Sequence, residues 1–147
     1  MAATSADATV LAFDFGTRRI GVAVGNTLTR AAHPLATIDD EANDVRFAAI
    51  EALIAEWQPG LLVVGLPTHA DGTPHDMTRR AEHFARQLSA RFGLNVSLVD
   101  ERWTSEVARD RLDAAGTGGR KGRALRDQVA AQLILQSWFD DSHDATS

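Results

Sequence analysis

The sequence predicts an α/β fold: one mixed five-stranded sheet, in the order β-β-β-α-β-α-β-α-α, flanked by helices on both faces. Three observations predict it. Residues 9–38 carry three short strand-like segments joined by tight turns, as an antiparallel meander requires. Two further apolar segments, "LLVVGLP" and "NVSLVDE", each follow a stretch of helical period, the pattern of parallel strands reached by crossovers. The last long segment, "ALRDQVAAQLILQSWF", is apolar nearly all round, as a helix pressed on a sheet should be.

In chain order, "TVLAFDFG" turns through Gly16 and Thr17 into "RIGVAVG", a hairpin with Gly21 inside its second strand. "HPLATI" completes the meander, and Pro34 suits a strand start or an edge. In "DDEANDVRFAAIEALIAEWQPG", Phe47, Ile50, Ile54 and Trp57 recur at helical spacing, acids crowd the start, and Pro59-Gly60 ends the helix. "LLVVGLP" reads as a central strand and "THADGTPHD" as a loop. Met77, Ala81, Phe84, Leu88 and Phe92 stripe a second helix that Gly93 closes. "NVSLVDE" is a strand ending on two acids, and Thr104 can cap a third helix reaching Gly116. "GTGGRKGR" reads as a mobile basic loop before the final helix. The organisation expected is one domain over residues 9–139, with a disordered tail at 1–8 and a flexible one at 140–147.

A chain of 147 residues suits one domain with its own core. It has no cysteine, which excludes a disulfide framework and a thiolate zinc site and suits a reducing compartment. The start lacks a signal-peptide pattern, and no apolar run approaches the roughly 20 residues that span a bilayer. The expectation is a cytoplasmic protein with no membrane partner. A net charge of -5 argues by itself against a nucleic-acid partner. Residues 102–126 reverse that balance: Arg102, Arg109, Arg111, Arg120, Lys121, Arg123 and Arg126 outnumber Glu106, Asp110 and Asp113. Every cation except Lys121 is arginine, which grips phosphate bidentately, although a GC-rich genome produces the same bias.

Three carboxylates sit where packing alone would not put them. Asp14 lies inside the first strand, where an ionised group is costly unless paired; Arg18 or Arg19 offers one partner. Glu101 stands at the carboxyl end of the last strand, a place where acids are also found simply solvated. Asp127 opens the last helix, where an acid ordinarily caps or complements the dipole; Ala130 and Ala131 nearby would let that helix approach the sheet closely. If the three converge, repulsion and desolvation demand cations between them. Clustered carboxylates without sulfur ligands call for hard ions, Mg2+ or Mn2+. Two such ions roughly 3.5–4 Å apart are the usual apparatus of phosphodiester cleavage. His33, His69, His75, His83 and His143 show no metal-ligand spacing and read as surface residues.

At these residues the chain resembles the YqgF (RuvX) family. "FDFGTRRIGVAVG", "VVGLPTHADGT", "LVDERWTSEVA" and "RDQVAAQLILQ" occur in that family's order and spacing, over about residues 9 to 139. The resemblance implies an RNase H-like fold and a Holliday-junction-resolvase-like nuclease that processes the 5′ end of precursor 16S ribosomal RNA. Structured precursor RNA would be its nucleic-acid partner, with ribosomal particles as further partners. Asp14, Glu101 and Asp127 would be both catalytic and metal-binding, the same three acids singled out above. Arg18 and Arg19 match the basic pair before "IGVA" and would lie near the scissile phosphate. Arg102, Arg120, Lys121 and Arg123 complete the expected substrate-binding set. "GLP" at 65–67 and the Asp71-Gly72 turn match a loop beside the site, and Asp100 would support the ligands or replace one. Asn26 and Trp103 depart from the family pattern without touching a proposed ligand.

Other readings differ in testable ways. Branched DNA is an alternative substrate for the same chemistry. A junction resolvase cuts two symmetric strands and should pair its sites in a dimer, so a strict monomer would weigh against it; the expectation is a monomer or weak homodimer. "DFGTRR" also resembles the phosphate-binding hairpin of actin-like and sugar-kinase ATPases, which need two such domains where this chain supplies one. A non-catalytic RNA- or ribosome-binding module would have no need of all three acids.

Overall fold

A computed structural model of the protein describes residues 8–67, 76–100 and 119–146, with side chains described over 122–141 of the last stretch. Strands β1 (Thr9–Phe15), β2 (Arg19–Asn26) and β3 (Ala31–Asp39) form the meander. Helix α1 (Asn43–Trp57), strand β4 (Leu61–Leu66), helix α2 (Asp76–Phe92), strand β5 (Asn95–Asp100) and helix α3 (Gly119–Thr146) follow. The sheet order is β3-β2-β1-β4-β5. β1–β2 and β2–β3 are antiparallel, whereas β1–β4 and β4–β5 are parallel, so the mixed sheet is as expected. The third predicted helix, near Thr104–Gly116, lies outside the described residues.

Alternation divides the sheet between two cores. Leu11, Phe13, Ile20, Val22, Leu62 and Val64 face α1 and α2, where Phe47, Ile50, Ala81, Phe84 and Leu88 bury against them. Val10, Ala12, Ala23, Val63 and Val99 face α3 and its Ala131, Ile134, Leu135 and Phe139. Central β1 is therefore apolar on both sides from Val10 to Phe13, as a strand covered by helices on both faces must be. The α2 stripe is the predicted one, and Gly93 closes it at φ 66° while donating its N–H to Ser89 O at 2.9 Å. Pro34 sits on the edge strand, where the β2–β3 register shifts opposite Val22 and Ala23. Asn26 has a local role: its Oδ1 accepts the Leu28 N–H at 2.7 Å and shapes the β2–β3 turn.

The final helix corrects the sequence reading. It begins at Gly119, so the "GRKGR" part of the presumed basic loop is helical and carries Arg120, Lys121 and Arg123 on its first turns. The backbone also stays helical to Thr146, through the polar residues that suggest a tail. α3 is buried along one stripe and half-buried on much of the rest, rather than enclosed all round. It covers the edge strand through glutamines spaced four apart. Gln128 Nε2 donates to Thr37 Oγ1 at 3.2 Å, and Gln132 Nε2 donates to Ala32 O at 2.9 Å. Gln136 accepts the Ala32 N–H at 3.2 Å and donates to Arg30 O at 3.0 Å. The bonds of Gln132 and Gln136 occupy backbone groups that an open edge would offer to another chain.

Candidate active site

Asp14 is the first residue on the α3 face of β1 that is not apolar, following Val10 and Ala12 toward the carboxyl end of the strand. Its ladder partner on β2 is Gly21. Helix α3 passes directly over that glycine: a Cβ there would lie 2.0 Å from Asp127 O and 3.0 Å from Asp127 Cβ. Asp14 and Asp127 are thus brought onto one face of the sheet, Asp127 lying over the residue directly across the ladder from Asp14. Both line an open pocket of about 320 Å³, together with Phe15, Gly16, Thr17, Arg18, Arg19 and Met77. The pocket stands at the carboxyl end of the parallel strands, where open α/β sheets place their ligand crevices.

Asp127 lies two turns inside α3 rather than at its start, so capping and the dipole do not explain it. Its Oδ2 instead accepts from Arg19 Nε at 2.6 Å, a pair that is about one quarter exposed. Arg18 projects outward, 3.8 Å from Glu41, and both side chains are more than two-thirds exposed. The two arginines that compete as partners for Asp14 in the sequence therefore diverge, one to Asp127 and one toward solvent. Glu101 and Arg102 lie outside the described residues, and so does the Asp71-Gly72 turn. Asp100 ends β5 exposed to solvent. Arg123 is exposed on α3, one turn before Asp127.

One residue that holds the site escaped the sequence reading. Arg46 on α1 is 4% exposed. Its Nη2 donates to Gly16 O in the β1–β2 turn, its Nε donates to Asp40 O at 2.7 Å, and its guanidinium lies 5.3 Å from the Phe15 ring centroid. Burial lowers its pKa from the ordinary arginine value, against the opposing charges of Asp40 and Glu41. The signal available was a cation one residue before Phe47, on the flank of the α1 apolar stripe. Thr78 does similar work on α2, donating its hydroxyl to Pro67 O at the end of β4.

The chemistry of the donor set fits a hard divalent cation: two carboxylates, partly solvated, with no thiolate or imidazole among the described residues that line the pocket. Among the described residues no group of three or more metal-binding side chains converges. Asp14 and Asp127 are two oxygen donors, and the third acid the sequence selects, Glu101, is not among those residues.

Comparison with known proteins agrees with this geometry. The RuvX family profile, described as Holliday junction resolvase, matches residues 8–141. A protein of Dechloromonas aromatica named "Putative pre-16S rRNA nuclease" is 60% identical over 135 residues, covering 92% of each chain. One of the same name from Nitrosomonas eutropha is 54% identical over 146 residues, covering 99% of this chain and 93% of the relative. Among solved structures, T. thermophilus RuvC in complex with a Holliday junction substrate aligns at TM-score 0.56 and 13% identity, covering 93% of this chain and 96% of that one. The yeast mitochondrial Holliday junction resolvase Ydc2 aligns at 0.53 and 10%, covering 88% and 77%. At such identities the structures bear on the fold alone.

Proposed function

The chain belongs to the RuvX family, and we propose on that footing that it is a metal-dependent nuclease processing the 5′ end of precursor 16S ribosomal RNA. The observation that carries the reading is the meeting of Asp14 and Asp127 across Gly21, beside Arg18 and Arg19 in one open pocket. Two carboxylates on one sheet face have no packing purpose, and both are acids the sequence selects for a metal. With Glu101, which rests on sequence alone, they would hold Mg2+ or Mn2+ in a two-ion arrangement. Bound there, the ions supply Lewis acidity for the attacking water and the leaving oxygen.

The protein's own groups do the rest. Arg19 has its Nε held by Asp127, and its two Nη groups would serve a non-bridging phosphate oxygen. Arg18, exposed at the turn, meets the neighbouring phosphate of the chain. Arg102, Arg120, Lys121 and Arg123 extend the backbone contacts; the last three share the first turns of α3 leading to Asp127. Nothing in this set reads base edges, so the substrate is selected by shape and charge.

The test is Asp14→Asn in a cleavage panel of precursor ribosomal RNA, single strands and four-way DNA junctions, with Mg2+ or Mn2+. The amide keeps the side-chain shape and loses the charge. Cleavage of the precursor should disappear while the circular dichroism spectrum is unchanged, and Mn2+ binding measured by calorimetry should weaken. Cleavage that persists in purified Asp14→Asn protein refutes the assignment. Preferential cutting of the junctions by the wild type would replace the RNA with branched DNA.

A further inference from the structure

A second depression lies on the other side of the sheet, between α1 and α2. It has a volume of about 330 Å³, and its lining includes Phe15, Arg46, Arg79, Arg80, His83 and Gln87. No acidic residue lines it among the described residues, in a chain whose net charge is -5. Asp76 pairs with Arg79 at 3.1 Å from just outside, with both side chains largely exposed. Arg80 and His83 are exposed along the same helix face, one turn apart. Farther along α2, Arg91 lies 4.1 Å from the Phe47 ring centroid. The nuclease reading uses none of these α2 cations.

The depression adjoins the active site. Phe15 lines both: it is the residue after Asp14, and alternation turns it to the α1–α2 side. The β1–β2 turn, Gly16 to Arg18, forms the saddle between them, held from the groove side by Arg46 and edged on the site side by Arg18 and Arg19. Met77, on the first turn of α2, reaches the site pocket, and Arg80 begins the next turn. A phosphodiester chain leaving the site over this saddle passes from one run of cations to another. The volume sits at the small end of ligand pockets, ~300–1,000 Å³, which suits one nucleotide unit at a time and no duplex.

We propose that the α1–α2 groove binds a single-stranded segment of the nucleic-acid substrate adjoining the cleavage point. Its backbone phosphates lie on Arg80, His83 and Arg79, and a base packs against the half-buried Phe15 edge and the guanidinium planes. This rests on the nuclease reading for the substrate's class and extends it from a cleavage point to a strand path. Charge complementarity favours a polyanion, and the shared Phe15 favours one that already occupies the site.

The experiment is binding without turnover. Fluorescence anisotropy in Ca2+ compares a blunt RNA hairpin with the same hairpin carrying a short single-stranded extension, and a DNA pair repeats the comparison. The proteins are wild type and Arg79→Gln/Arg80→Gln/His83→Gln, all exposed positions. The extension should tighten wild-type binding about tenfold, the order of one clamped nucleotide. The triple variant should lose that increment, and the extra salt dependence should fall by about 1.4, from ~0.7 per phosphate for two contacts. An RNA-only increment makes the path RNA-selective; equal increments make it a path for any phosphodiester chain. An increment that survives in the variant, or is absent from wild type, overturns the groove while Asp14-dependent cleavage still supports the nuclease. Displacement of the hairpin by polyglutamate in wild type but not in the variant, without any extension effect, assigns the groove to an acidic protein and overturns the proposal. Loss of all binding by wild type removes both readings together.

Discussion

Replacing Gly21 by alanine tests whether close approach of α3 builds the site. The added Cβ would stand 2.0 Å from the carbonyl oxygen of Asp127 and 2.4 Å from its carbonyl carbon. An ordinary carbon–oxygen contact is about 3.3 Å or more, so helix and strand must part by on the order of 1.3 Å. Backbone meets backbone here, and no side-chain rotation relieves it. Overpacking of this kind costs typically 1–3 kcal/mol, and the rigid partner argues for about 3. Gly→Ala returns up to about 1 kcal/mol by restricting the unfolded chain, leaving a net loss near 2. For a domain of this size that is a fall in Tm of roughly 6–10 °C. The same displacement moves Asp127 away from Asp14 and Arg19, so cleavage should fall further than the unfolded fraction explains. Gly60→Ala is the control: among the described residues its Cβ meets only the Ala8 methyl at 3.4 Å, and its Tm should stay within a degree or two. Thermal melts and initial cleavage rates on the three proteins decide the matter. A Gly21→Ala protein with wild-type Tm and wild-type rate would refute the argument.

Two further outcomes concern the supports. Arg46→Met keeps the bulk but strips the donors from Gly16 O and Asp40 O, and should cost about 2 kcal/mol in urea unfolding, since buried polar groups left unpaired cost ~1–3 each. Its cleavage rate should drop as well, because the β1–β2 turn loses its anchor; an unchanged rate would make Arg46 purely structural. Gln132→Ala/Gln136→Ala removes the bonds to Ala32 and Arg30, about 1 kcal/mol each. By uncovering the β3 edge it should also raise the mass seen by light scattering at high concentration, and a strictly unchanged mass would show that the glutamines do not guard the edge.

The strands were legible because their apolar periods are the periods of their burial, and the α2 stripe was legible for the same reason. The start of α3 was not. Gly118, Gly119 and Gly122 each weigh against a helix by about 1 kcal/mol, which outvotes Arg120, Lys121 and Arg123 in any local reading. The structure begins the helix at Gly119 and buries Gly122. That shift changes the meaning of Asp127: at a helix start it has an ordinary explanation, and two turns inside it has none but its partners. Asp14 was legible as an anomaly, because a charge in an apolar strand contradicts the pattern around it. Arg46 was not, since one cation beside an apolar stripe is usually a solvated flank. Nor was the role of Gly21, because a glycine in a strand marks a bulge as readily as a close approach.

The residues that hold the site together are not the ones that would act in it. The Arg19–Asp127 pair is partly solvated, and pairs of that kind contribute ~0–1 kcal/mol. It cannot be what keeps α3 on the sheet. Gly21, Ala23 and Gly25 along β2 admit the helix, with Phe139 lying over Gly25, and the apolar stripe of α3 fills the face beyond. The glutamine row then fixes how far α3 slides along β3: Gln128 meets the Thr37 hydroxyl, Gln132 and Gln136 meet backbone groups of Ala32 and Arg30, and a slip of one turn would break these pairings. Axial register and depth of approach together set Asp127 over Gly21 and opposite Asp14. The Arg19–Asp127 charges thus contribute little to holding the helix in place. A neutral amide at position 14 should leave the melting curve in place and remove the cleavage, while one methyl group at position 21 should disturb both.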